Sequence, residues 1–152
     1  MDLQRTSDEL EIAKLLTRYA TAVDTKDWDL YRSVFTDDAQ IDYSSAGAIA
    51  GTRDEVADWL AQAFEAMPMT MHYITNIDTD IVGDTAHVRA MFYNPMTLPG
   101  SSELSCCGGY YNHQLVRTPE GWRSSYLRED SIWFANPPAI APAEVVGNLH
   151  AQ

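Results

Sequence analysis

The chain has 152 residues, of which 45% are hydrophobic and 21% charged, and a formal net charge of −12. This length and composition indicate one globular domain over residues 1–152, with a core at about 8–135 and a tail at 136–152. An acidic chain without a basic cluster, and without the roughly 18 apolar residues of a membrane span, argues against a nucleic-acid or membrane partner.

The first third of the chain has the pattern of helices. The opening "MDLQRTSDELE" lacks the apolar core of a signal peptide, so we expect a cytoplasmic protein. Thr6 and Glu9 match a capping box, which predicts the start of a first helix. Apolar residues then recur at helical spacing as far as Val23, and Asp27 is placed to cap a short second helix, "WDLYRSVF".

A short strand and a third helix follow. "AQIDYSS" is typical of a strand, and the Gly-rich "AGAIAG" predicts the turn that ends it. "TRDEVADWLAQAFEAM" predicts a helix that begins near Thr52 or Asp54 and is stopped by Pro68.

The second half has the pattern of strands. Gly83 and Asp84 predict a hairpin between "MHYITNIDTDIV" and "TAHVRAMFYN". "NPMTLPGSSELSCCGG" indicates a long loop or a distorted lead-in to a strand, of the kind that often borders a site. A second hairpin around "PEG" joins "YYNHQLVRT" to "GWRSSYLREDSIWF", and the Pro-rich tail that follows is expected to lie over the surface.

The two cysteines, Cys106 and Cys107, are adjacent. A disulfide between neighbours is strained, so we expect free thiols in a reducing compartment. No second pair of ligands follows at zinc spacing, so we expect no bound metal.

Helices followed by antiparallel strands are typical of the α+β class. A strongly curved sheet folded over the helices would form a cone with one deep pocket. An apolar lining with few polar groups suits a small hydrophobic ligand.

Asp24 and His72 are the strongest candidates for chemistry. Asp24 ends a long helix, where the helix dipole disfavours a negative charge, yet it could equally be a loop residue. A single histidine among Met, Tyr and Ile is more often a buried structural residue than a base. Considered together, the two residues suggest an imidazole base whose tautomer is fixed by a carboxylate.

Several motifs in the order found here resemble the SnoaL-like branch of the NTF2-like superfamily, over roughly residues 8–135. They are the helix with its terminal Asp, "KDWD", "IDY", the His after the third helix, the "GD" hairpin and "GW". The branch includes scytalone dehydratase, bile-acid 7α-dehydratase and lindane dehydrochlorinase. The resemblance implies a cone-shaped fold in which Asp24 and His72 are the catalytic pair, without a cofactor.

The resemblance also implies supporting residues. Those that would polarise or hold the substrate are Tyr19, Tyr43, Asn112 and Arg128. We also expect Trp28, Phe92 and Trp133 to line the pocket. Phe92 stands near the position of a second active-site histidine in scytalone dehydratase, which argues against scytalone as the substrate. His113 neighbours Asn112 on the same strand and should point the opposite way.

The function implied is a lyase or isomerase that removes a proton from a small hydrophobic cyclic substrate, as in a dehydratase. Two alternatives remain open: a polyketide cyclase, which starts with the same proton abstraction, and a non-catalytic ligand-binding protein. The resemblance further implies a homo-oligomer, with a trimer favoured over a dimer.

Overall fold

A computed structural model describes residues 1–138, so most of the predicted tail lies outside the described residues. In this part of the chain the elements follow the order α1 (Leu3–Thr25), α2 (Trp28–Arg32), β1 (Phe35–Asp42), β2 (Ala50–Thr52), α3 (Arg53–Ala63), β3 (Met69–Thr70), β4 (Tyr73–Val82), β5 (Thr85–Thr97), β6 (Leu104–Thr118) and β7 (Gly121–Ala135). None of the helices within residues 1–138 is both long and apolar enough to span a membrane.

The first helix begins earlier than its sequence predicts. The side chain of Asp2 accepts hydrogen bonds from the backbone N–H groups of Gln4 (3.0 Å) and Arg5 (3.2 Å), so Asp2 is the N-cap. Thr6 was the predicted cap, but its hydroxyl instead donates to the carbonyl of Asp2. A carboxylate is a strong cap and is also favoured by the helix dipole, and it therefore extends the helix by a turn.

The other two helices start as predicted. The side chain of Asp27 accepts from the backbone N–H of Leu30 at 3.0 Å and caps α2. Thr52, rather than Asp54, caps α3 through a full capping box with Glu55. The helix ends at Ala63, before Pro68 is reached.

The sheet is mixed and mainly antiparallel. Its strands lie in the order β2-β1-β7-β6-β5-β3, with β4 also paired to β5. Strands β1 and β7 run parallel, and the other pairs of the described sheet are antiparallel. Helix α1 packs against both β7 and β4, although β6 and β5 lie between these strands, because the sheet curls around the helix. The predicted α+β cone is confirmed.

The segment predicted as a long loop or a distorted lead-in to a strand is mostly strand. Strand β5 continues to Thr97, β6 begins at Leu104, and these two residues are paired in the ladder. Only residues 98–103 connect the strands. Pairing with a long neighbouring strand outweighs the weak local preference of this Pro- and Gly-rich segment.

Strand β7 contains two bulges that decide which side chains face inward. Ser125 is the extra residue at the first bulge and Ile132 at the second, because their neighbours pair with consecutive residues of β6. Each extra residue reverses the alternation of the strand. The side chains that face inward are therefore Ser124 before the first bulge, Glu129 between the two bulges and Phe134 after the second.

Candidate active site

A cavity of about 200 Å³ lies between the curled sheet and the helices. Most of its lining is apolar, including Leu60, Phe92 and Met96. The polar or titratable side chains that line it are Tyr19, Tyr43, Thr70, His72, Asn94, Cys107, Tyr111 and Glu129. A largely apolar cavity with a few converging polar groups is typical of a small-molecule site.

Asp24 and His72 lie in direct contact at this cavity. One carboxylate oxygen of Asp24, Oδ1, lies 2.6 Å from Nδ1 of His72 and also accepts a hydrogen bond from the Thr70 hydroxyl at 2.9 Å. The other, Oδ2, accepts from the backbone N–H of His72 at 2.8 Å. The side chain of His72 is 6% exposed and that of Asp24 is 21% exposed. These three donors compensate the carboxylate for its unfavourable place at the end of α1.

The Asp24 carboxylate also selects the tautomer of His72. An ionised carboxylate only accepts hydrogen bonds, so the proton of a neutral His72 ring must be on Nδ1. The lone pair of Nε2 is then free at the cavity that His72 lines. A nitrogen in this state can accept a proton from a bound molecule.

Three tyrosine hydroxyls form a connected chain beside the cavity. Tyr43 lies at its centre, 2.7 Å from the hydroxyl of Tyr19 and 2.8 Å from that of Tyr31. All three side chains are buried. Burial raises the pKa of each phenol above its ordinary value, so the three groups remain protonated donors.

The direction of donation along this chain follows from burial. Tyr31 is completely buried, does not line the cavity, and has Tyr43 as its hydroxyl partner. If Tyr43 donated to Tyr31, the proton of Tyr31 would be left buried and unpaired, at a cost of about 1–3 kcal/mol. Tyr31 therefore donates to Tyr43 and Tyr43 donates to Tyr19. The hydroxyl proton of Tyr19 is left for another acceptor at the cavity.

Glu129 is a buried carboxyl group at the same cavity, only 9% exposed. It pairs across the strands with Tyr111, which also lines the cavity. Burial raises the pKa of Glu129 to about 7; the Tyr111 hydroxyl lowers that pKa, and the charge of Asp130 raises it. Alternation along the strand could not identify this residue, because a bulge sets the direction of its side chain.

Cys107 also lines the cavity, and both cysteines are free thiols. Burial raises the pKa of the Cys107 thiol to about 11, which keeps the sulfur protonated and weakly nucleophilic. The described residues contain no group of three or more His, Cys, Asp and Glu side chains that could hold a metal ion.

Two of the predicted supporting residues lie outside the cavity. Asn112 faces the outside of the sheet and donates to Asp130 at 2.8 Å, because inward alternation on β6 falls on Tyr111 and His113. Arg128 also points outward and pairs with Asp130, because the bulge at Ser125 turns Glu129 inward instead. Neither Asn112 nor Arg128 lines this cavity.

His113, expected to face away from the site, is instead buried on the inner side of the sheet. Its Nδ1 lies 2.9 Å from the Ser124 hydroxyl, and its Nε2 has no hydrogen-bond partner among residues 1–138. Burial lowers the pKa of His113 to about 3, so the ring is neutral. Asn112 does point the opposite way, as predicted.

Of the three predicted lining residues, only Phe92 lines the cavity, where its ring stacks on Tyr111 at 4.4 Å. Trp28 packs against Tyr31 and Phe64 outside the lining, and Trp59 lines the cavity instead. Trp133 points outward, because the bulge at Ile132 brings Phe134 to the cavity in its place.

A family model for the SnoaL-like domain matches residues 4–128. The chain belongs to the SnoaL-like family. This SnoaL-like protein is 40% identical over 118 residues to an uncharacterised protein of Mycobacterium tuberculosis, which is 77% of this chain and 80% of that protein.

Solved structures place the SnoaL-like protein in the same fold. A protein from Kribbella flavida superimposes with a TM-score of 0.79 at 30% identity, over 87% of this chain and 95% of that one. The hexachlorocyclohexane dehydrochlorinase of Novosphingobium barchaimii gives a TM-score of 0.77 at 20% identity, over 93% and 100% of the two chains. The second likeness is one of fold.

Proposed function

We propose that the protein is a cofactor-independent lyase or isomerase that removes a proton from carbon in a small hydrophobic cyclic substrate. The observation that carries the proposal is the contact between Asp24 and His72 at an apolar cavity. An imidazole held by a carboxylate on one nitrogen, with the other nitrogen free, is the arrangement of a general base.

In this mechanism Nε2 of His72 takes a proton from a carbon beside a carbonyl group. The imidazole becomes positively charged as it does so, and the Asp24 carboxylate stabilises that charge at 2.6 Å from Nδ1. Thr70 keeps the carboxylate in place by donating to the same oxygen. General base catalysis of this kind contributes about 10²–10⁴-fold to the rate.

The negative charge that develops on the substrate oxygen needs a donor as well. Tyr19 is placed for this role, because Tyr31 and Tyr43 donate along the chain toward it and leave its proton available. Hydrogen bonds to a developing charge in a dry site stabilise the transition state more than the same bonds do in water. Tyr43 supports this role by donating a hydrogen bond to the hydroxyl oxygen of Tyr19.

The cavity limits the size and charge of the substrate. An apolar cavity of about 150 Å³ accommodates benzene, and the cavity here measures about 200 Å³. This volume favours a single substituted ring. Because the lining within the described residues includes no Lys or Arg, a neutral substrate is favoured over an anionic one.

The proposed outcome of proton removal is elimination. A dehydrochlorinase with the same fold carries out an elimination by its name, and the family resemblance includes dehydratases. A cyclase would use the same base for a carbon–carbon bond, whereas a passive ligand carrier would need no oriented imidazole. The contact between Asp24 and His72 favours catalysis over carriage.

The test is turnover of a panel of cyclic β-hydroxy ketones and halogenated rings, followed by product analysis and by exchange of the carbon-bound proton in deuterium oxide. We expect His72→Ala and His72→Gln to lose at least about 100-fold in rate. His87→Ala is the matched control, because His87 is exposed on the outer side of β5. A His72→Ala variant that retains the wild-type rate would refute the mechanism.

We also propose that the protein is a homo-oligomer. The outer side of the sheet exposes a row of aromatic rings, Tyr73, Tyr93 and Trp133, with neighbouring ring centroids 5.8 and 6.0 Å apart. Contiguous exposed apolar surface of this kind favours contact with another protein surface. The family resemblance favours a trimer.

A further inference from the structure

Glu129 has no part in the mechanism described above, although it lies at the same cavity. A buried carboxyl group normally pairs with a cation or a cluster of donors, because burial of an isolated charge is costly. The nearest arginine along the chain, Arg128, points to the outer face and pairs with Asp130. The surroundings of Glu129 therefore favour its neutral form, which carries a transferable proton.

The titratable groups around Glu129 also favour its protonated form. Tyr19 faces it from α1, Tyr111 and Cys107 face it from β6, and Asp130 follows it on β7. The first three are neutral, because burial raises the pKa of each above its ordinary value. Asp130 is negative and favours the protonated form of Glu129 further.

Glu129 and His72 approach the cavity from different parts of the sheet. His72 directly precedes β4, Glu129 lies on β7, and β5 and β6 lie between these strands. Three strand spacings are about 14 Å in a flat sheet, and the curl brings the two side chains closer. Both side chains line one cavity of about 200 Å³, so they face a common binding space.

We propose that Glu129 is a second catalytic residue, which donates its proton to the departing oxygen of a substrate hydroxyl group while His72 removes a proton from the neighbouring carbon. The inference rests on the proposed elimination and deepens it. It names the substrate class as neutral cyclic β-hydroxy ketones and the leaving group as water.

The electron pair of the broken C–H bond becomes the new C=C bond, and the proton goes to Nε2 of His72. The C–O bond breaks with its pair on oxygen, which takes the proton of Glu129 and leaves as water. His72 then loses its proton to solvent and Glu129 regains one, so no oxidant, reductant or further reactant is needed.

This role makes the site sensitive to the leaving group. Hydroxide departs poorly without a proton, whereas chloride departs as a stable anion. The structure therefore predicts that Glu129 matters for a β-hydroxy ketone and not for its β-chloro counterpart. A residue that only shapes the cavity would affect both substrates alike.

The experiment compares Glu129→Gln with the wild type on this substrate pair, after subtraction of the uncatalysed rates. The amide keeps the shape but has no acidic proton, so we expect kcat on the hydroxy ketone to fall at least about 100-fold, and less than about 3-fold on the chloro ketone. The wild-type kcat on the hydroxy ketone should also fall as pH rises through about 7, whereas kcat on the chloro ketone should not. Glu103→Gln, an exposed change in a loop, is the control and should affect neither rate.

Equal losses on both substrates, or no loss on the hydroxy ketone, would overturn the role of Glu129. The proposed function has its own readout, since His72→Ala should abolish turnover of both substrates. If His72→Ala loses turnover while Glu129→Gln keeps full activity, only the role of Glu129 is refuted. If the wild-type protein turns over neither substrate, the proposed elimination itself is refuted. Circular dichroism shows whether Glu129→Gln folds. If it does not, Glu129→Asp replaces it, and this variant should retain the wild-type preference between the two substrates. Loss of that preference in Glu129→Asp would contradict the role of Glu129.

Discussion

Asp24 contacts His72 at two points, through Nδ1 of the ring at 2.6 Å and through the backbone N–H at 2.8 Å. The first contact orients the imidazole, and the second fixes the main chain from which the ring projects. Because Asp24 lies in the last turn of α1 and His72 directly precedes β4, the same carboxylate also ties the helix to the sheet. Orientation of the base and local folding therefore depend on one side chain.

Asp24→Asn is expected to lower kcat by at least about 100-fold while the protein still folds. The amide cannot balance the charge of a protonated imidazole. Its NH₂ group would also face one of the three donors from which the carboxylate now accepts hydrogen bonds. We expect a loss of stability of about 1–3 kcal/mol from that mismatch. Turnover and urea unfolding measure the two effects, with the exposed Asp29→Asn as the control. Wild-type turnover in Asp24→Asn would contradict the role of the carboxylate.

The tyrosine chain predicts a graded set of effects. Tyr19→Phe removes the hydroxyl proposed to contact the substrate oxygen and should lower kcat most. The activation free energy should rise by about 1.5–3 kcal/mol if charge develops on that oxygen. Tyr43→Phe removes a supporting bond and should cost about 0.5–1.5 kcal/mol. Tyr31→Phe, at the far end, should affect kcat least. Steady-state kinetics of the three variants tests the order, and a largest effect at Tyr31 would reverse the inferred direction of donation.

The pairing of Asp24 with His72 was predicted from the family resemblance, because spacing along the chain could not show that the two side chains meet. Asp24 lies in the last turn of a regular amphipathic helix, and His72 is the first histidine after the third helix. Thr70 had a usable signal too, since it lies two residues before His72 in an extended segment and so shares its side. The fold class followed from the same helix and strand periods.

For Arg128 and Trp133, the direction of the side chain depends on strand register. The bulge at Ser125 turns Arg128 outward and Glu129 inward, and the bulge at Ile132 does the same to Trp133 and Phe134. A bulge forms through pairing with a distant strand, so alternation within "SSYLREDSIWF" could not reveal it. Gly109 marks the second bulge, because a Cβ there would clash with the backbone of Asp130.

Glu129 should make stability depend on pH. The folded protein raises its pKa from 4.5 to about 7, so the unfolded chain loses this proton first as pH rises. The stabilising contribution is fully present below about pH 4.5 and is lost progressively up to about pH 7. The total is about 3 kcal/mol, at 1.36 kcal/mol for each tenfold change in proton affinity.

Glu129→Gln removes this titration and should therefore be more stable than the wild type at pH 8, but not at pH 4. Urea unfolding of both proteins at the two pH values measures the difference. An equal difference in stability at pH 4 and pH 8 would show that Glu129 titrates normally in the folded protein.

Asp8 is predicted to stabilise the fold far from the cavity. Its side chain is 6% exposed and accepts two hydrogen bonds from Arg117, at 2.7 and 3.0 Å, and one from Trp122 Nε1 at 3.1 Å. The hydrogen bonds from Arg117 hold the pKa of Asp8 below its ordinary value, so its contribution is present above about pH 4 and is lost at lower pH. Asp8→Asn should lower the free energy of unfolding by about 3 kcal/mol at pH 7. Asp84→Asn, an exposed partner of the same arginine, should change it by less than about 1 kcal/mol, and equal effects would contradict the argument.

The outer aromatic row predicts self-association. Tyr93 lies at its centre, between Tyr73 on β4 and Trp133 on β7, and all three rings are between 43% and 48% exposed. Light scattering at micromolar concentration should give a multiple of the 17.0 kDa chain mass, with a trimer at about 51 kDa favoured. Tyr93→Asp places a charge in the middle of the row and should shift the mass to that of a monomer, because burial of an unpaired carboxylate in an apolar interface is costly. Val82→Asp is the matched control, since Val82 is exposed at the hairpin end of β4 and lies outside the row. A monomeric wild type would contradict self-association, and an oligomer unchanged by Tyr93→Asp would place the interface elsewhere on the surface.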